Sequence, residues 1–173
     1  MNFFAGRWYA LAALVFTLDL ITKNMASSAL RYGEPLVITE FFNFTLLHNT
    51  GAAFSFLSEA GGWQRWFFAV IAAGVGAFII LWLYRLAHRD AWQSLGLSLV
   101  LGGALGNLWD RVTLGYVVDF VQLHYHDYYW PAFNVADSGI TLGAAVLIVN
   151  SFFGHRERAR VAQRQVKEEG DGE

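Results

Sequence analysis

Asp119 and Asp137 are the side chains whose type and setting bear most directly on chemistry. Asp119 stands in Val117-Val118-Asp119-Phe120, and Asp137 closes Phe133-Asn134-Val135-Ala136-Asp137. Most of the remaining sequence consists of apolar runs. A carboxylate close to lipid is costly to keep charged, so two of them beside apolar runs point to chemistry rather than solubility. Two carboxyls that share one proton offer an acid and a base together, which is what hydrolysis of a peptide bond requires. That chemistry needs the two to meet, so the elements that carry them have to be placed.

Composition narrows the class. The chain has 173 residues, room for one domain, with 55% hydrophobic and 15% charged side chains. Its mean hydropathy is +0.36. This is more apolar and less charged than an average soluble domain. A net charge of -2 gives no argument for a nucleic-acid partner. The chain contains no cysteine, which excludes disulfides, thiolate metal sites and a cysteine nucleophile.

Three uncharged stretches approach the ~20 residues that span a bilayer: residues 66–84, 91–109 and 138–153. A fourth, 8–29, is apolar but carries Asp19 and Lys23. Arg7, this apolar run and Ala26-Ser27-Ser28-Ala29 also fit a cleavable signal peptide. Asp19 and Lys23 argue against it: at i, i+4 with the acid first they pair on one helix face, so the segment reads as a retained helix. Four spans put Arg7, Arg85, Arg89 and the basic residues after 153 on one side. By the bias of Lys and Arg that side is cytoplasmic, and so are both termini. The loops 30–65 and 110–136 then face outward. Asp119 lies in one of them and Asp137 at the outward mouth of the last span, so both belong to the same face.

The outward loops carry structure of their own. Residues 35–48 and 112–122 are rich in β-branched and aromatic side chains and each reads as a strand or hairpin. Tyr125, Tyr128, Tyr129 and Trp130 read as an interfacial aromatic belt. Residues 154–173 are a charged tail, expected to be solvated and able to touch anionic lipid.

Other residues allow more than one reading. Gly102 and Gly106, and again Gly139 and Gly143, make small-xxx-small faces for close helix packing. Asn107, Asp110 and Arg111 share one helix face, either as a neutralised pair at a span end or as support for a site. Asn49-Thr50-Gly51-Ala52-Ala53-Phe54-Ser55 is either a turn or a place where a substrate backbone comes close. Ser55 lacks the surroundings of a serine nucleophile. His124 and His126 invite a metal, but no His-Glu-x-x-His helix exists and none is expected. Asn134 and Asp137 can be nothing more than a helix cap and a first-turn acid.

Five motifs in order carry a resemblance. They are Asp19-Leu20-Ile21-Thr22-Lys23, residues 49–55, Gly103-x-x-Gly106-Asn107-x-x-Asp110-Arg111, Val117-Val118-Asp119-Phe120 and Phe133-Asn134-Val135-Ala136-Asp137. With them the chain resembles the bacterial lipoprotein signal peptidases (signal peptidase II) throughout, apart from the charged tail. The resemblance implies an α-helical integral membrane protein with four transmembrane helices, a small extracytoplasmic β-layer and a short outer helix. The peptidase domain would be residues 1–153. It implies an aspartic endopeptidase of the inner membrane that cuts prolipoproteins just before a diacylglyceryl-modified cysteine, without a cofactor, and that globomycin-type inhibitors block. Its catalytic pair maps onto Asp119 and Asp137. Asn49, Gly51, Asn107, Asp110, Arg111, Asn134 and Ala136 fall to substrate binding or support of the pair, and Asp19 and Lys23 to a structural polar pair. From the residues alone, a small ion-coupled transporter using Asp19, Lys23 and Asp110 as a proton relay, or an adaptor without chemistry, stays open.

Overall fold

The computed structural model describes residues 3–51, 62–86 and 90–170. Ala52 to Ser55 of the second motif therefore lie outside the described residues. Among the described residues there are four helices: α1 (Phe3–Ala29), α2 (Gln64–Leu86), α3 (Ala91–Thr113) and α4 (Val135–Gly170). Four strands form one antiparallel sheet: β1 (Leu36–Thr39), β2 (Phe42–Asn49), β3 (Val117–Tyr125) and β4 (Tyr128–Tyr129), in the order β1-β2-β3-β4. A short outer helix is not among the described elements.

Three of the helices have the length and composition to cross a membrane: α1 over Gly6–Ala29, α2 over Gln64–Leu86 and α4 over Val135–Phe152. The fourth expected span, 91–109, does form the 23-residue helix α3, but that helix is less apolar. The reason is its place in the bundle. It packs against α1, α2 and α4, so Ser94, Ser98, Asn107 and Asp110 are buried against protein instead of facing lipid. The helix of residues 138–153 also runs further than its apolar stretch. Its backbone continues to Gly170, so the boundary near residue 154 is one of composition, not of secondary structure.

Small residues bring the helices together. A side chain at Gly102 would strike Ala12 O and Val15, one at Gly143 would strike Gly96 O, and one at Gly103 would strike Ala136 O. Such contacts replace the hydrophobic drive that lipid does not supply between helices. Away from the sheet, Ala12, Ile79, Leu83, Leu97 and Leu101 form a buried apolar cluster.

The sheet sits where α3 hands over to β3. The turn requires Gly115, whose φ of 92° few side chains tolerate. Strand β3 then pairs with β2, setting Leu47 opposite Asp119 and Asn49 opposite Val117. After β4 the chain returns beside β3: Phe133 O accepts from Phe120 N at 3.1 Å and Val121 N at 2.9 Å, and Phe133 N donates to Val121 O at 3.0 Å. This return lays Asn134 and the start of α4 alongside Asp119.

Candidate active site

The return of the chain beside β3 brings Asp137 close enough for its charge to act on Asp119. Asn134 is the hinge of the site. Its Nδ2 donates to Asp119 Oδ1 at 2.7 Å, while its Oδ1 accepts the Asp137 backbone N–H at 2.9 Å. Asp137 Oδ2 in return accepts from Asn134 N at 3.3 Å. This is a reciprocal cap at the helix start, with an acid in the third helical position. Helix cap and site are thus compatible roles for these residues: the same bonds that begin α4 aim its first-turn carboxylate at β3.

Two further asparagines hold the carboxyls. Asn49 Nδ2 donates to Asp119 Oδ2 at 3.1 Å, and Asn107 Nδ2 donates to Asp137 Oδ1 at 2.7 Å. Each of these amides has its orientation set from behind. Asn49 Oδ1 accepts from Gly51 N at 3.0 Å, and Asn107 Oδ1 accepts from Lys23 Nζ at 3.0 Å. An amide whose oxygen is occupied can offer only its NH₂ to the acid.

Asp119 is 3% exposed, whereas Asp137 is half-buried. Burial, with the charge of Asp137 behind it, pushes Asp119 up to about 7 against the opposing bonds from Asn49 and Asn134. Near neutrality a protonated carboxyl therefore stands within the field of another acid. Such a pair can donate a proton and accept one in the same reaction.

Below the acids lies a buried ionic cluster. Lys23 Nζ pairs with Asp19 Oδ2 at 2.7 Å and with Asp110 Oδ2 at 2.9 Å. Asp19 Oδ1 accepts the Ala136 N–H at 2.8 Å, and Asp110 Oδ2 accepts the Val118 N–H at 3.1 Å. The pairing of Asp19 with Lys23 agrees with their spacing. The Asp-Arg pair considered at the end of 91–109 does not form: Asp110 turns to Lys23, and Arg111 goes elsewhere. Arg111 donates to Gly51 O at 2.9 Å and Asn107 O at 3.2 Å, with its guanidinium 5.5 Å from the Phe68 ring. It ties the end of β2 to α3, one residue before the segment outside the described residues.

All eleven residues that the resemblance assigns to the pair, its support or the polar pair come together here. Arg65 was not among them. Its guanidinium donates to Arg111 O at 2.6 Å and Val112 O at 2.7 Å, closing the last turn of α3. Only its position before an apolar run marked it in the sequence, and such a residue reads as an ordinary interfacial charge. His124 stacks on Tyr129 with centroids 5.2 Å apart, and His126 occupies the turn after β3 with φ 50°.

Comparisons with known proteins bear on the family and the fold. Residues 11–153 match the family described as Signal peptidase (SPase) II. The chain is 57% identical over 150 residues to the lipoprotein signal peptidase of Teredinibacter turnerae, covering 87% of this chain and 89% of that one. It is 53% identical over 145 residues to that of Cellvibrio japonicus, covering 84% and 85%. A solved structure described as a bacterial membrane enzyme at 2.3 Å superposes with a TM-score of 0.76 at 32% identity, over 85% of this chain and 88% of that one. A second, at 1.9 Å, gives 0.74 at 32% identity over 86% and 94%. By sequence over most of its length and by fold, the chain belongs to the signal peptidase II family.

Proposed function

We propose that this chain is an intramembrane aspartic endopeptidase that removes the signal peptide from prolipoproteins, cleaving just before the diacylglyceryl-modified cysteine. Membership of the family supports a protease acting on lipoprotein precursors. The observation that carries the aspartic reading is the asparagine bridge: one side chain, Asn134, binds Asp119 through its nitrogen and the Asp137 backbone through its oxygen.

The reaction uses one carboxylate and one carboxylic acid. The carboxylate takes a proton from a water molecule, whose oxygen attacks the scissile carbonyl carbon. The acid gives its proton to the carbonyl oxygen, producing a neutral tetrahedral diol. In the second step that proton set reverses: a hydroxyl proton returns to an Asp, the amide nitrogen is protonated, and the C–N bond breaks to leave an acid and an amine. Asp119, deeply buried and raised to about 7, suits the acid. Asp137, fed by Asn107 and lying in the first turn of α4, suits the carboxylate. No cofactor enters the scheme. Asn49, Gly51, Asp110, Arg111 and Ala136 keep the pair or the substrate backbone in place.

Residues 1–153 serve as the peptidase domain, with four membrane crossings that include α3, and residues 154–173 as a cytoplasmic tail. Both termini are cytoplasmic and the acids face the outer side of the bacterial inner membrane. The acyl chains of the substrate stay in the surrounding lipid while its backbone reaches the sheet, where globomycin-type inhibitors also bind. The deciding experiment is cleavage of a purified diacylated prolipoprotein by wild type, Asp119→Asn and Asp137→Asn. Full activity in wild type and none in either variant is expected. An Asp119→Asn enzyme that still processes the precursor overturns the aspartic mechanism.

A further inference from the structure

Lys23 sits in α1 and touches neither acid of the pair, yet three connections run from its ammonium to them. The first passes through Asp110, whose Oδ2 is 2.9 Å from Nζ and accepts the N–H of Val118, the residue before Asp119. The second passes through Asp19, whose Oδ2 is 2.7 Å from Nζ and whose Oδ1 accepts the N–H of Ala136, the residue before Asp137. The third passes through Asn107, which takes a bond from Nζ at 3.0 Å and passes one to Asp137 Oδ1 at 2.7 Å. All three acceptors lie within 3.0 Å of the one ammonium, two as ion pairs and one as a hydrogen bond.

We infer that Lys23 is a positioning residue for the proposed reaction: it is the hub that fixes the separation of Asp119 and Asp137 by holding Asp110, Asp19 and Asn107, which bond the backbone immediately before each acid and the side chain of one. This rests on the aspartic mechanism proposed for the pair. Two carboxylates are buried with Lys23, 3% exposed at Asp110 and 0% at Asp19. A buried carboxylate is costly unless its remaining lone pairs are also satisfied. Both carboxylates also bond the backbones that carry the acids. Gly106 belongs to the same device, since any side chain there would strike Asp19 Oδ2 and crowd Ala136 Cβ.

Lys23→Arg tests the inference, because it keeps the charge and replaces a compact three-way donor with a larger planar fork. The charged groups facing the pair are Lys23 and Asp19 from α1 and Asp110 and Arg111 from α3, and all these charges stay present in this variant. Cleavage of a diacylated prolipoprotein is measured from pH 5 to 9, with rates expressed per folded enzyme. The expected result is a fall in kcat of at least about tenfold, KM within about threefold, and an alkaline limb displaced toward acid as the carboxyls separate. An unchanged kcat per folded enzyme with an unmoved limb overturns the proposal and leaves Lys23 a fold-stabilising charge. Should Lys23→Arg not accumulate as folded enzyme, Asp110→Glu keeps the charge, lengthens one arm by a methylene and is judged by the same two results. Asp119→Asn runs beside both: activity there sinks the aspartic mechanism and this inference with it, whereas its inactivity with a normal Lys23→Arg enzyme sinks the hub alone.

Discussion

The two ends of the helix bundle are held together by different physics. Away from the sheet, Leu83, Leu97 and Leu101 pack beside Ile79 and Ala12, and Gly96 meets Gly143 backbone to backbone. Where the bundle meets the sheet, Asp19, Lys23, Asn107, Asp110, Asp119 and Asn134 are all buried, none more than 8% exposed. The first end gains from many small dispersion contacts and tolerates exchange of shape. The second depends on a few directed bonds, each of which leaves a buried polar group without a partner when removed. One end can lose an interaction and weaken by degrees, while the other loses geometry.

Four measurements sharpen this contrast. The largest effect is expected from Asp119→Asn and Asp137→Asn, which lower cleavage by about a thousandfold or more while the thermal transition persists, in line with loss of general acid–base chemistry. Second, Gly106→Ala and Gly96→Ala place the same methyl at the two ends. Each costs about 1–3 kcal/mol of stability from overpacking. Only Gly106→Ala, which presses on Asp19, also lowers kcat per folded enzyme, and equal kcat in both variants breaks the contrast. Third, Leu83→Ala, fully buried at the apolar end, destabilises by about 2 kcal/mol and leaves kcat and the pH profile of the folded enzyme unchanged. Fourth, the pH profile of wild type is set at the polar end. Asp119 is raised to about 7, so its proton is present below that pH and lost above it. Activity that needs this proton falls as pH rises through about 7, and a rate flat to pH 9 contradicts the assignment of Asp119 as the acid.

The apolar elements were legible in the sequence because lipid-facing helices must be apolar along their length. The strands were legible from β-branched and aromatic runs, although the stretch expected from 112 opens as the last turn of α3, and its strand runs from Val117 to Tyr125. Hydropathy marks α3 less clearly than the other three helices for a physical reason. A helix surrounded by other helices can carry serine, asparagine and aspartate inside the bundle. The pairing of Asp19 with Lys23 could be read from i, i+4 spacing, being local. That of Lys23 with Asp110 could not, because the nearer candidate was Arg111 and the choice depends on where α1 docks. The role of Asn134 stayed divided between cap and site since a sequence shows one bond of a side chain at a time, and this side chain makes both.

The reciprocal cap at the start of α4 has a consequence for chain length. Each residue added to a helix turns the rest of that helix by about 100°. With Asn134 pinned to Asp119 and Asp137 three positions later, an insertion or deletion between them swings the second carboxylate away from the first and removes the cap at the same stroke. The turn between Tyr125 and Tyr128, at the tip of an exposed hairpin, carries no such linkage. Length variation among working copies of this protein should therefore collect at that tip, while the step from Asn134 to Asp137 stays invariant in length even where its middle residues change.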